Sequence, residues 1–295
     1  MPRVFLTGAT GEIGQTILPI LGQHHDVVAL HRGTIPLTHS DVTWVEGNLT
    51  SLLSFRKNLE GVDVLIHLGA LTKSTNEKAL HRVNVQGTLE LLKAAREAGC
   101  SKTIVASTAA VTHTYLTPYA RSKLEMETQV LKAGYETLFI RPTLVYGKKT
   151  RFIRLLRRIA ETPFPFVFLP DGGKGDVHPV HAEDIGHALL KLIKNFPRVP
   201  ETYDLCPLTG ATLRACVETS LRVHHQNKTI FSLPSAPLKG IGLFSRASRI
   251  PIPSFIHGGA AISSSYQVNP QKFQRDYGDI FREPLKAIEE CLRHE

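Results

Sequence analysis

The chain has 295 residues, enough for one large domain or a domain with a small lobe, and enough to bury a sizeable core. Apolar residues make up 42% and charged residues 21%, and no apolar run approaches the ~18 residues that a membrane span needs. The net charge is +9 with a pI of about 9.4, but no zinc-finger, RNP or helix-turn-helix pattern accompanies it, so neither a nucleic-acid partner nor a membrane is expected.

The first half alternates short β-branched runs with longer helical patterns. "RVFLTG" (3–8) predicts a strand and "EIGQTILPILGQ" (12–23) a helix interrupted by Pro19. Strands follow at 26–32 and 42–47, a helix near 51–60, and a strand at 63–70. The run 79–99 reads as a long helix ended by Gly99, 102–108 as a strand, 119–132 as a helix and 136–147 as a strand. This order predicts a parallel sheet with right-handed crossovers, and the apolar strands suit a sheet covered on both faces. From about residue 148 the pattern changes. A basic helix (151–161) leads into a Pro-rich segment, 182–195 is helical, and 234–259 is rich in Pro, Gly and Ser. The expected division is a domain at 1–147, to which 178–199 returns, and a smaller substrate lobe from 148–177 and 200–295.

"LTGATGEIG" sets Gly8, Gly11 and Gly14 at a strand-to-helix junction. Such glycines permit a tight turn, close approach of backbone to a pyrophosphate, and close packing of helix on strand. The helix N-terminus then offers free N–H groups to the phosphates. The expected fold is therefore a Rossmann-type doubly wound α/β sheet with a smaller C-terminal lobe. At the end of the second strand stand His31 and Arg32, with no carboxylate before Asp41. An arginine there can pair a 2′-phosphate, so NADP(H) is favoured and NAD(H) is the alternative.

Tyr119 and Lys123 are four residues apart in a helical run and share one face. A free phenol, with a pKa of about 10, is a poor base at neutral pH. A neighbouring ammonium is expected to lower that value, and an oxidised nicotinamide would add a second positive charge. The pair would then act as an acid–base unit for a carbonyl/alcohol couple. Just upstream, "TIVAST" ends in Ser107 and Thr108, whose hydroxyls can hold the substrate oxygen.

With these motifs go "GNL" (47–49), "HLGA" (67–70), "NVQGT" (84–88), "RPTLVYG" (141–147) and "HPVHAEDIGHAL" (178–189). Together they resemble the extended short-chain dehydrogenase/reductases of the NAD-dependent epimerase/dehydratase type, through most of the chain. The resemblance implies that Tyr119 is the acid/base, that Lys123 tunes it and binds the nicotinamide ribose, and that Thr108 is the catalytic hydroxyl with Ser107 beside the substrate. It gives Thr10, Glu12 and Ile13 to the phosphate turn along with its glycines. It implies Asn48 and Leu49 against adenine, where the family more often has Asp at position 48. Leu68, Gly69 and Ala70 would line the adenosine ribose, and Pro142 and Val145 the nicotinamide. The resemblance also implies a homodimer through the helices at 79–99 and 118–132, to which Leu89, Leu92, Leu124 and Leu131 would contribute.

Arg151, Arg154 and Arg158 share a helix face and are expected, with Tyr146, to face the substrate, the arginines on a diphosphate. The gap from Thr108 to Tyr119 leaves only a short loop over the substrate. Ala109 and Ala110 stand where the family's dehydratases carry an acidic pair, which disfavours water elimination. His178, His181 and Asp184 have a metal-like spacing, but the resemblance explains them as a turn and helix start, and no metal is expected. The pairs His24–His25 and His224–His225 read as surface residues.

Three readings stay open. The resemblance points first to hydride transfer on a nucleotide sugar, as in an epimerase. The second is an NADPH-dependent reductase of another aldehyde or ketone, similar to dihydroflavonol reductases. The third is a non-catalytic dinucleotide-sensing or assembly subunit. Four scattered cysteines without a CxxC, and an N-terminal stretch without the apolar run of a signal peptide, give the expectation of a cytoplasmic protein.

Overall fold

The computed structural model describes residues 1–33, 35, 42–237, 240–241 and 267–293. Asp41 and most of the Pro-, Gly- and Ser-rich stretch 234–259 lie outside the described residues. The first lobe contains β1 (Arg3–Thr7), α1 (Glu12–Gly22), β2 (Asp26–His31), β3 (Val42–Glu46) and β4 (Val64–His67). A long helix α2 follows as Glu77–Leu80, a π-helical stretch His81–Gln86, and Gly87–Glu97. Then come β5 (Lys102–Ala106), α3 (Pro118–Lys132), β6 (Thr137–Pro142), β7 (Val145–Tyr146), α4 (Arg151–Glu161), β8 (Phe166–Pro170), β9 (Val180–His181) and α5 (Ala182–Lys194). The chain continues with β10 (Thr202–Leu205), α6 (Leu213–Val223), β11 (Thr229–Leu233), α7 (Pro270–Tyr277) and α8 (Pro284–Arg293).

Seven strands form one parallel sheet in the order β10-β6-β5-β4-β1-β2-β3. The order reverses between β1 and β4, and ligands of such sheets bind outside the strand C-termini at that switch. Both faces are covered, which is why the strands carry continuous apolar runs. One face packs Ile17, Leu18 and Leu21 of α1 with Ile185, Leu189 and Leu192 of α5. The other packs Leu91 and Leu92 of α2 with Met126 and Val130 of α3.

Several elements depart from expectation. The segment 51–60 forms two 3₁₀ turns, Leu52–Ser54 and Arg56–Leu59, instead of a helix. Ser54 bonds its own turn (Oγ to Ser51 O, 2.8 Å), which favours a local turn over a continuous helix, while Phe55 and Leu59 are still buried in the core. The strand expected over 136–147 breaks at Pro142, which has no N–H for the ladder, and Val145–Tyr146 pairs with β9 instead. The lobe boundary differs too. Residues 202–205 form the edge strand of the main sheet, and α7 packs on it, with Phe273 inside the main core. The second lobe is built from α4, β8, β11, α6 and α8 around Ile153, Leu156, Val217 and Ile288. All four cysteines are buried and unbridged.

Candidate active site

The turn after β1 is shaped by two glycines. Gly8 has φ +76°, and a Cβ there would lie 2.7 Å from the backbone of Leu68 and Gly69. A Cβ on Gly14 would come within 2.1 Å of the Gly8 carbonyl oxygen, so only glycine lets α1 start this close to β1. Gly11 caps α1 without a side-chain bond, leaving its first N–H groups to an outside acceptor. Free N–H groups at a helix start suit a nucleotide phosphate. Glu12, in the first turn, is engaged from the other lobe. Its Oε1 accepts from Arg151 Nε (2.8 Å) and Arg154 Nη2 (3.3 Å), and its Oε2 accepts from the Arg151 backbone N–H (3.3 Å).

The acid–base candidates sit where β5 gives way to α3. Thr108 Oγ1 accepts the Ala110 N–H (3.2 Å) and so starts a 3₁₀ turn at Ala109–Thr112, against which α3 packs. Thr117 caps α3 by accepting the Ala120 N–H, and Pro118 takes the first helical position. Tyr119 is partly exposed at the head of this helix, and Lys123, one turn on, is 1% exposed. Ser107 Oγ is buried without a hydrogen-bond partner among the described residues, a polar atom that a bound ligand would satisfy. Burial pushes the Tyr119 phenol up to about 12, opposed by the Arg151 charge, and pulls Lys123 down to about 8, opposed by Glu127. The expected lowering of Tyr119 is therefore not a property of the protein alone, because desolvation outweighs the nearby cations.

Sequence reasoning missed a supporting layer. Glu127 is one further turn along α3 and accepts a bidentate pair from Arg141 of β6 (2.9 and 2.5 Å). The repeated four-residue spacing Tyr119–Lys123–Glu127 was the signal for it. His67 is buried between two threonines. The Thr88 hydroxyl donates to the Asn84 carbonyl (2.7 Å), so it must accept from His67 Nε2 (2.9 Å). Nδ1 is then bare and accepts from Thr7 Oγ1 (2.6 Å), which accepts the Gly69 N–H (3.2 Å). Burial first, and the Lys123 charge second, hold His67 down to about 3, which keeps the ring neutral, while the two threonine bonds set the tautomer. Asn84 itself lies in the π-helical stretch. It donates to Leu71 O (3.0 Å) and Ser122 Oγ (2.9 Å) and accepts the Leu71 N–H (2.7 Å), tying the segment after β4 to α3.

Other expected site residues fall in several places. Leu68, Gly69 and Ala70 leave the end of β4 beside the glycine turn, and Pro142 and Val145 flank the break after β6. Arg32 is exposed at the end of β2. Asn48 is exposed and bonds the Thr50 N–H (3.2 Å), while Leu49 is buried against Gly69. Arg158 is exposed in the last turn of α4. Tyr146 does not reach a cleft: it is 0% exposed, inside the second lobe's core and edge-on to His181. The turn of chain at Pro142 carries it inward. His181 caps α5 by accepting the Glu183 N–H (3.2 Å), and Asp184 holds Arg282 (3.0 Å).

A family model, that of the NAD dependent epimerase/dehydratase family, matches residues 4–206. The ceramide reductase of Caulobacter vibrioides is 28% identical over 266 residues, covering 88% of this chain and 77% of that protein. The 4-hydroxy-2-methyl-3-oxo-4-farnesyl-3,4-dihydroquinoline-1-oxide ketoreductase of Stigmatella aurantiaca is 28% identical over 258 residues, covering 79% and 76%. Among solved structures, the UDP-glucose 4-epimerase of Thermus thermophilus in complex with NAD superposes with a TM-score of 0.75, at 18% identity, over 99% of this chain and 98% of that one.

Proposed function

We propose, from the premise that the chain belongs to the NAD-dependent epimerase/dehydratase family, that it is an NADP(H)-dependent reductase of a ketone carrying a long apolar chain. The observation that carries this reading is the pair of relatives above. Both are reductases by name, of a ceramide and of a farnesylated quinoline oxide, and both match along most of the chain. Two features of the site add to it. Arg151 and Arg154, expected to hold a sugar diphosphate, are engaged by Glu12. A phenol held near 12 is protonated at neutral pH, and a proton donor is what reduction of a carbonyl requires.

In this reading the bound reduced nicotinamide supplies a hydride to the carbonyl carbon. Thr108 and Ser107 hold the carbonyl oxygen. Tyr119 Oη gives its proton to that oxygen as the C=O π pair becomes the O–H bond, and the Lys123 ammonium stabilises the phenolate left behind. The glycine turn and the N-terminus of α1 hold the pyrophosphate.

The test is a ketone series of increasing chain length, with UDP-glucose as the contrast, followed by loss of reduced nicotinamide. Each buried methylene is worth about 0.8 kcal/mol, so kcat/KM should rise up to roughly fourfold per carbon until the pocket is filled. Conversion of UDP-glucose without net nicotinamide consumption would replace this reading by the epimerase.

Cofactor choice is assigned to Arg32. Replacing His31 by Asp and Arg32 by Asn should weaken NADPH relative to NADH by roughly 10- to 150-fold, the value of one charge-assisted bond of 1.5–3 kcal/mol. A wild-type protein that already binds NADH more tightly removes the premise. We also propose a homodimer through α2 and α3. Leu92 and Leu89 serve the internal core, but Leu124 and Leu131 of α3 are 36% and 55% exposed and remain for a second copy. Light scattering that gives a monomer at micromolar concentration excludes it. The four buried, unbridged thiols suit the cytoplasm, where we place the protein.

A further inference from the structure

β8 and β11 form a two-stranded parallel sheet whose inner face packs in the second lobe through Val167 and Leu169, with Ile230 against the same core. Strand alternation turns the other face outward, and it is aromatic. Phe164, Phe166, Phe168, Phe231 and Leu233 are 58, 38, 50, 48 and 46% exposed. Their rings touch one another: Phe164–Phe166 at 5.8 Å, Phe166–Phe168 at 5.2 Å and Phe168–Phe231 at 5.7 Å between centroids. Half-exposed aromatic side chains of this number make a continuous apolar patch of roughly 400 Å², a size that marks an interaction site.

Charge identifies what it meets. The chain carries a net charge of +9, and the stretch around β11, from Thr219 to Pro237, holds Arg222 and Lys228 and no Asp or Glu. Lys228, just before β11, has its Nζ fixed by the carbonyls of Ile159 and Thr162, at the end of α4 next to Phe164. We propose that this aromatic face docks on an anionic lipid membrane and that the enzyme takes its apolar substrate from there. Aromatic side chains settle at the bilayer interface, and basic groups beside them are attracted to anionic headgroups. The distance suits delivery. α4 begins with Arg151 on Glu12 at the cofactor turn and ends beside the patch, and its eleven residues span on the order of 16 Å. The substrate part of this inference rests on the reductase reading, whereas the docking surface stands by itself.

The experiment is sedimentation with vesicles of phosphatidylcholine alone and of phosphatidylcholine with phosphatidylglycerol. It compares the wild type with Phe231→Ser and with the triple variant Phe166→Ser, Phe168→Ser, Phe231→Ser. The wild type should bind the anionic vesicles, less so at high salt. The triple variant should bind at least tenfold more weakly and the single variant in between. Melting temperature, NADPH affinity and turnover of a short water-soluble ketone should stay unchanged, while turnover of a long-chain ketone presented in vesicles falls about tenfold. Wild type that ignores anionic vesicles, or variants that bind as wild type does, overturns the proposal. So does a wild-type dimer that the triple variant dissociates, which would give the face to a second copy. Vesicle binding without reduction of any ketone rejects the reductase reading and leaves the docking surface intact.

Discussion

Replacing Tyr119 by Phe is expected to lower ketone reduction by roughly 10²- to 10⁴-fold while NADPH binding changes little. The substitution removes one oxygen from the head of α3 and leaves the ring. The helix does not depend on that oxygen, since Thr117 and Pro118 start it and Ser122 bonds the Tyr119 carbonyl. The turn proposed to hold the nucleotide is formed by Gly8, Gly11 and Gly14, which the phenol does not build. Loss should therefore appear in kcat. Because the phenol stands at about 12 and Lys123 at about 8 in the free protein, reduction by the wild type should be flat below about pH 7 and fall as the ammonium is lost above about pH 8, whereas the reverse oxidation, which needs the phenolate, should rise with pH. A Phe variant that turns over near the wild-type rate would remove Tyr119 from the mechanism.

Lys123→Met should abolish reduction and yet make the cofactor-free protein more stable at pH 7. Lys123 is 1% exposed and its burial pulls its pKa from 10.5 to about 8. Between those values the unfolded chain holds the proton that the folded chain has released, so stability rises with pH across this window. Below pH 8 the folded protein carries the whole penalty, about 3 kcal/mol at 1.36 kcal/mol per pH unit. Methionine fills similar space without charge and should recover about 1–3 kcal/mol, a rise of roughly 2–12 °C in Tm. The gain should shrink as the pH approaches 10, where the wild-type lysine is neutral. Above that pH the Tyr119 phenol adds an opposite slope, because it keeps in the folded state a proton that the unfolded chain loses. Calorimetry at pH 7 and 9.5 measures both the sign and the shrinkage. A variant that melts below the wild type at pH 7 would show that the lysine is compensated by bonds stronger than its desolvation.

The sheet was legible because β1, β2, β4, β5 and β6 are apolar runs with turn residues at their ends. The glycine turn and the Tyr119–Lys123 pair were legible because spacing alone defines them. What was not legible depends on distant chain. "TYDL" is four residues of no strong type, and only its register against Phe139–Pro142 makes it the edge of the main sheet. Glu12 looks like a residue of the phosphate turn until Arg151 and Arg154, about 140 positions away, are found on it. The π-helical stretch around Asn84 is set by a bond to Ser122 across the helix pair, for which local propensity has no sign. Tyr146 was misread because Pro142 ends one strand and sends the next into another sheet.

The edge strand β10 is held by chain made much later. Asn269 N–H bonds Asp204, Tyr203 bonds Asp276, Lys272 pairs with Glu201, and the Phe273 ring meets Tyr203 edge to face. Between Leu205 and Pro270 a ribosome must add 65 residues. At about 5–20 residues per second this takes roughly 3–13 seconds. During that time the nascent sheet presents an unguarded strand to its neighbours on the same messenger, which is the arrangement most prone to edge-to-edge association. Expression yield should therefore respond to the speed of translation across residues 206–269. Chaperones that hold nascent chains should matter more for this protein than its folded stability suggests.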